Sequence, residues 1–177
     1  MRRALIAAVV LLSACTAQAP PPAQTTPNTY PVPPETARPD EQVLHLPTTN
    51  DGDTTFTAVG LSAGIPTLIG SHAEFAARGQ FVRVRLVVAN AGRSSALFDA
   101  RRQLLVDADG EEYAPDDPAM TVKRQPAQTD LGAGVRLEFD LYYDIPKEAK
   151  PLKLKVFGGP TLTDMKDEKG TDLPLSE

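Results

Sequence analysis

Gln80-Phe81-Val82-Arg83-Val84-Arg85-Leu86-Val87-Val88-Ala89-Asn90 is the stretch on which the fold turns. Val82, Val84, Leu86 and Val88 share one face of an extended chain, with Arg83 and Arg85 on the other. This period of two marks a strand with one buried and one wet face. Further along, Val135, Leu137, Phe139, Leu141 and Tyr143 repeat the pattern, with Arg136, Glu138, Asp140 and Tyr142 opposite. Leu152, Leu154 and Val156 repeat it again, with Lys153 and Lys155 outward. Residues 54–61, 65–69 and 103–107 are weaker strand candidates, rich in β-branched and aliphatic side chains.

Turn residues fall between these runs: Asn90-Ala91-Gly92, Asp109-Gly110, Leu131-Gly132-Ala133-Gly134 and Ile145-Pro146. Only residues 71–78 and a turn around 118–122 have helical character. Short strands, regular turns and little helix predict an all-β, antiparallel β-sandwich over residues 51–160. The polar residues 161–177 are expected to form a partly disordered tail or a loose edge.

Residues 80–92 resemble the "G-x-F-V-x-V-x-V-x-V-x-N-x-G" strand of a telokin-like, immunoglobulin-fold domain of unknown function, found in bacterial lipoproteins and secreted proteins. The mycobacterial immunoprotective extracellular antigen belongs to the same superfamily. Leu105 to Tyr113 is similar to that family's "L-x-D-x-x-G-x-x-Y" hairpin, and Leu131 to Pro146 to its "L-x-P-G … F-x-V-P" segment. Ala133 replaces the usual proline, and two extra residues precede Pro146. The resemblance implies an immunoglobulin-like fold and a place in the cell envelope. It brings no catalytic residues and no cofactor.

The chain has 177 residues, 41% of them hydrophobic and 23% charged, enough for one packed core. A formal charge of −5 and a pI of about 5.1 exclude the cationic excess a nucleic-acid binder needs. One cysteine excludes an internal disulfide or a CxxC site, and two histidines, His45 and His72, lack partners at metal-ligand spacing.

The lone cysteine has another explanation. Met1 to Cys15 reads MRRALIAAVVLLSAC: a positive start, a short apolar run, and small residues before Cys15. An apolar run of this length is too short for the roughly 30 Å hydrocarbon core of a membrane. Leu12-Ser13-Ala14-Cys15 resembles the bacterial lipobox, which implies a signal peptide over residues 1–14, cleavage before Cys15, and lipid (palmitate among the acyl chains) on Cys15. Two or more acyl chains anchor stably where one does not. Loss of Arg2 and Arg3 takes the charge from −5 to −7.

Residues 15–50 hold nine of the 17 prolines and scarcely any large aliphatics. Proline removes backbone donors and extends its predecessor, so the segment reads as a polyproline-II-like tether. At about 3.1 Å per residue it reaches at most roughly 100 Å. Anchor, tether and sandwich together describe a membrane-attached module facing an envelope protein or polymer.

Candidate sites are few. Asp107, Asp109, Glu111, Glu112, Asp116 and Asp117 place six carboxylates within eleven positions, and Asp107, Asp109 and Glu111 share one strand face. They are candidate calcium ligands, although the spacing is not an EF-hand. The competing expectation is a hairpin turned at Gly110 with its carboxylates in solvent. Arg83 and Arg85, with Glu138 and Asp140 opposite as neutralising partners, and an outward-pointing Tyr142 are candidate partner contacts. No Gly-x-Ser-x-Gly or Ser-x-x-Lys occurs, and no enzyme is expected.

Overall fold

The computed structural model describes residues 36–71, 74–160 and 165–176. The signal segment, Cys15, the tether up to residue 35 and His72 lie outside the described residues.

Eleven strands are described: β1 (Gln42–Val43), β2 (Thr49–Asp51), β3 (Thr54–Ile69), β4 (Glu74–Asn90), β5 (Ala96–Asp99), β6 (Leu104–Asp107), β7 (Glu112–Tyr113), β8 (Gln128–Leu131), β9 (Arg136–Ile145), β10 (Pro151–Val156) and β11 (Thr171–Pro174). One short helix, α1 (Asp117–Val122), is capped by Asp116, whose carboxylate accepts from Ala119 N–H. The strands form antiparallel sheets in the orders β1-β3-β4-β9, with β2 also on β3, and β11-β10-β6-β7, plus the pair β5-β8. This is the predicted β-sandwich.

The three alternating runs became β4, β9 and β10, with β4 and β9 in continuous register from Gln80 opposite Ile145 to Ala89 opposite Arg136. The weaker candidates at 54–61 and 65–69 are one long strand, β3, bent by register shifts near Gly60 and Ser62. The stretch at 71–78 is strand from Glu74 on, because pairing with β3 overrides its weak helical character.

The core lies where the sheets face each other. Val82, Val84, Leu86 and Val88 of β4 and Phe139, Leu141 and Tyr143 of β9 are buried there, with Leu105, Leu154 and Leu173 from the second sheet. Phe98 sits between Phe56 and Phe139, with ring centroids 6.3 and 5.2 Å apart. The fully buried Gln103 is satisfied: its amide nitrogen donates to Asp99 and Phe157 carbonyls, and its amide oxygen accepts from Phe157 N–H. The Tyr143 hydroxyl donates to the Gln103 carbonyl, which gives its buried oxygen a partner.

Both ends of the sandwich reading need correction. The body begins before residue 51, since β1 and β2 pair with β3 and Leu44 is buried in the core. Prolines at 39 and 47 flank this segment without interrupting β1. At the other end, residues 171–175 are no loose tail. β11 completes the second sheet, and Leu173 and Leu175 are buried, because two leucines two apart match the inward face of an edge strand.

Leu173→Ala is expected to cost about 2–5 kcal/mol, as for other leucines removed from a core. Urea denaturation reads this directly, and an unchanged midpoint would mean that β11 contributes nothing to the fold.

Candidate functional site

On β4, Arg83 and Arg85 point away from the inter-sheet core, as the alternation predicts, but not into solvent. Residues 36–41 cross the outer face of the five-stranded sheet as a strap. Glu41, its side chain 0% exposed, places Oε1 2.8 Å from Arg85 Nη2 and Oε2 3.5 Å from Arg83 Nη2. The Thr36 carbonyl accepts from Arg85 Nη2 at 3.4 Å. Arg38 Nη1 donates to both carboxylate oxygens of Asp140 (2.8 and 2.7 Å), and its Nη2 to Glu138 at 3.3 Å. Glu138 also accepts from Arg85 Nη1 at 3.3 Å. Three arginines thus face three carboxylates.

Gly60 makes the approach possible. A Cβ there would lie 2.3 Å from the Glu41 carboxylate carbon, so any side chain on β3 at this point displaces Glu41. Burial disfavours the Arg38 charge, but Asp140, Glu41 and Glu138 outweigh it and hold its pKa above the ordinary value. Gln125 adds a neutral contact, its side-chain oxygen accepting from Asp140 N–H at 2.8 Å.

The sequence-predicted contacts are therefore covered. Tyr142 lies opposite Arg83 in the β4–β9 register and is 2% exposed, not outward in solvent. Burial first, then the Asp140 carboxylate, pushes its phenol above the ordinary pKa. Arg85 is 4% exposed and Arg83 18%. Glu138 does pair with Arg85, but Asp140 pairs with Arg38, a residue that strand alternation cannot reveal. The arginine in Ala37-Arg38-Pro39-Asp40-Glu41, amid a proline-rich run, was the available signal.

The acidic run forms a hairpin turned at Gly110, the competing expectation, except that Asp107 is not in solvent. Asp107 Oδ1 accepts from the N–H groups of Asp109 (3.0 Å) and Glu111 (2.9 Å), and Oδ2 from the Tyr113 hydroxyl (2.9 Å). Its carboxylate shapes the turn, with Gly110 at a φ of +87° that favours glycine. Asp109 and Glu111 are exposed, Glu112 pairs with Lys155, and Asp116 caps α1. Among the described residues no three carboxylates, histidines or cysteines converge on a point that suits a metal.

A second constellation ties the sheets together. Asp51 accepts from Gly158 N–H and from the Thr171 hydroxyl, each at 2.7 Å. Asp167 accepts from Arg102 (2.8 Å) and from Gly159 N–H (2.9 Å), while Arg102 lies 4.7 Å over the Phe157 ring. Burial and the neighbouring Asp51 carboxyl raise Asp167 above its ordinary pKa, against the pull of Gly159 and Arg102. Nearby, a cleft of about 670 Å³ is lined by Asp53, Asn90, Ser94, Ser95 and Gly158, among others.

With the geometry in place, family membership is decided by residues 46–167, which match the family model described as a domain of unknown function, DUF4352. The chain belongs to that family. No curated protein matches it. Among solved structures it is similar to the yjhA protein of Bacillus subtilis, with a TM-score of 0.53 and 16% identity over 73% of this chain and 96% of that one. A conserved hypothetical protein of Bacillus anthracis gives 0.51 and 15%, over 75% and 95%. A candidate lipoprotein of Bacillus subtilis, ycdA, gives 0.55 and 15% over 73% of this chain and only 38% of that longer one. At such identities the likeness shows the fold alone. The family match begins at residue 46, so the strap lies outside it.

Two measurements probe these groups. Glu41→Gln is expected to cost about 3–5 kcal/mol, because it removes the fully buried carboxylate nearest Arg85 and leaves that covered guanidinium only the half-exposed Glu138 as a counter-charge. Glu138→Gln, at a side chain 38% exposed, is expected to cost under about 1 kcal/mol. Equal effects in chemical denaturation would remove Glu41 from its central place.

For Asp107, burial raises the carboxyl pKa, but the bonds from Glu111, Tyr113 and Asp109 outweigh it and leave it below the ordinary value. Its stabilisation is therefore complete above the unfolded aspartate pKa of about 3.9 and is lost as pH falls through the lower folded value. Asp107→Asn is expected to flatten the stability profile below about pH 4. A variant profile parallel to wild type there would contradict this.

Proposed function

We propose that the protein is a lipid-anchored extracytoplasmic lipoprotein that presents its immunoglobulin-like sandwich to an envelope protein or polymer. The observation that carries this is the order of features in Met1 to Cys15: two arginines, an apolar run, and Leu-Ser-Ala immediately before cysteine. The proline-rich stretch that follows suits a spacer between a membrane and a folded module. The motif resemblance to domains of bacterial lipoproteins and secreted proteins supports the same setting, as does the description of ycdA. Among the described residues no helix is long and apolar enough to cross a membrane. In this reading attachment falls to the lipid on Cys15, at the cell membrane or the outer membrane.

The role is binding, not catalysis. The sequence carries none of the nucleophile motifs considered above, and the Glu138 and Asp140 carboxylates are engaged by Arg38 and Arg85. The calcium-sensor alternative is weaker than an interaction role, because Asp107 spends both carboxylate oxygens on its own hairpin.

Metabolic labelling with an alkyne palmitate, combined with detergent phase partition, tests the anchor. Wild type is expected to be labelled and to enter the detergent phase, and Cys15→Ala to do neither. An unlabelled wild type overturns the anchor. Crosslinking in intact cells tests the role, with a partner expected for wild type and lost in Cys15→Ala.

A further inference from the structure

Two arginines two residues apart on one strand face stand about 7 Å apart along the chain. Once covered, they repel each other unless an anion lies between them. Glu41 supplies that anion from the end of the tether. Arg85 is buried and Arg83 nearly so, yet Nε of each is buried without a hydrogen-bond partner. The face therefore holds more donors than Glu41 and its neighbours satisfy. A cleft of about 260 Å³ opens beside the strap, lined by Pro39, Ser62, Ile65, Arg83, Lys123 and Tyr142, among others. Arg83, its side chain 18% exposed, borders this cleft and is open to solvent there while the strap is in place.

We propose that Arg83 and Arg85 form a carboxylate receptor on the outer face of the five-stranded sheet, filled in cis by Glu41, and that an extended acidic segment of a partner protein displaces the strap and docks in its place. This rests on the envelope-interaction reading and names its surface. A peptide fits because the present occupant binds through its backbone as well as its carboxylate. The Thr36 carbonyl accepts from Arg85, and Gln42–Val43 pairs with β3 opposite Leu61 and Gly60. The order of charges is read too, since Arg38, three residues before Glu41, grips Asp140 and Glu138. The segment that fits is extended and carries an acid with a base three residues before it.

While the strap is in place it competes from a short distance, so apparent affinity falls by the fraction of molecules whose receptor is open. Weakening the strap without touching the receptor then strengthens binding in trans.

The test uses the full-length protein in detergent and a fluorescein-labelled peptide copying residues 34–44, followed by fluorescence anisotropy. Arg38→Ala protein is expected to bind this peptide at least tenfold more tightly than wild type. A peptide carrying Glu41→Gln is expected to lose that binding, as is Arg38→Ala protein that also carries Arg83→Gln. Circular dichroism melts establish that each variant is folded, and Arg38→Gln replaces Arg38→Ala if the latter is not.

Equal affinity of wild type and the folded Arg38 variant, or equal binding of the Glu41→Gln peptide, overturns the receptor. Absence of peptide binding to every folded form overturns it as well. Polyphosphate bound at Arg83 with no peptide bound would replace the peptide by an anionic polymer and overturn the proposal as stated. Palmitate labelling and cellular crosslinking are independent of these titrations, so failure of the receptor is distinguishable from failure of the anchored-module reading.

Discussion

Two arginines on one face of a central strand cannot be covered without a counter-charge, and much of this structure answers that constraint. Arg83 and Arg85 are fixed by the register of β4 between β3 and β9. Glu41 reaches them only because Gly60 leaves room above β3, and because Arg38 fastens the strap to Asp140 and Glu138 on β9. The cluster is balanced in charge, yet its members come from three separated stretches of chain. Its stability value lies less in the attraction than in the penalty for removing one partner.

The strap changes what the proline-rich stretch means. The last residues before β1 are held on the sheet by ion pairs, and β1 and β2 then run on as part of the body. Salt weakens the half-exposed Arg38–Glu138 pair, while the buried Glu41–Arg85 pair is screened much less. That chemistry makes the outer face of the sheet, and not the acidic hairpin, the more informative surface.

The inter-sheet core follows a simpler logic. Alternating apolar residues on β4, β9 and β10 meet across the layers, and the Phe56, Phe98 and Phe139 rings fill the middle. Gln103 is a fully buried amide there, and its side chain joins Asp99 at the end of β5 to Phe157, just after β10, through satisfied hydrogen bonds. A polar group in that position favours one arrangement of the strands over others, since any shift would leave it unpaired.

The period-two runs at 82–88 and 135–143, with glycine and proline between them, were enough to determine the sandwich, because side-chain alternation is a property of the extended chain itself. The Asp109-Gly110 turn was legible for the same local reason. Whether a face that alternation marks as polar meets water depends on what lies above it, which no local pattern encodes. Alternation therefore points Tyr142 and Arg85 outward although both are buried, the polar composition of 161–177 hides Leu173 and Leu175, which are core, and Asp107, a candidate ligand by spacing, braces its own turn. The pairing of Glu41 with Arg83 and Arg85 spans more than forty residues. Only folding of residues 36–41 across the sheet brings those charges together, and the cost of leaving them apart decides where that segment must lie.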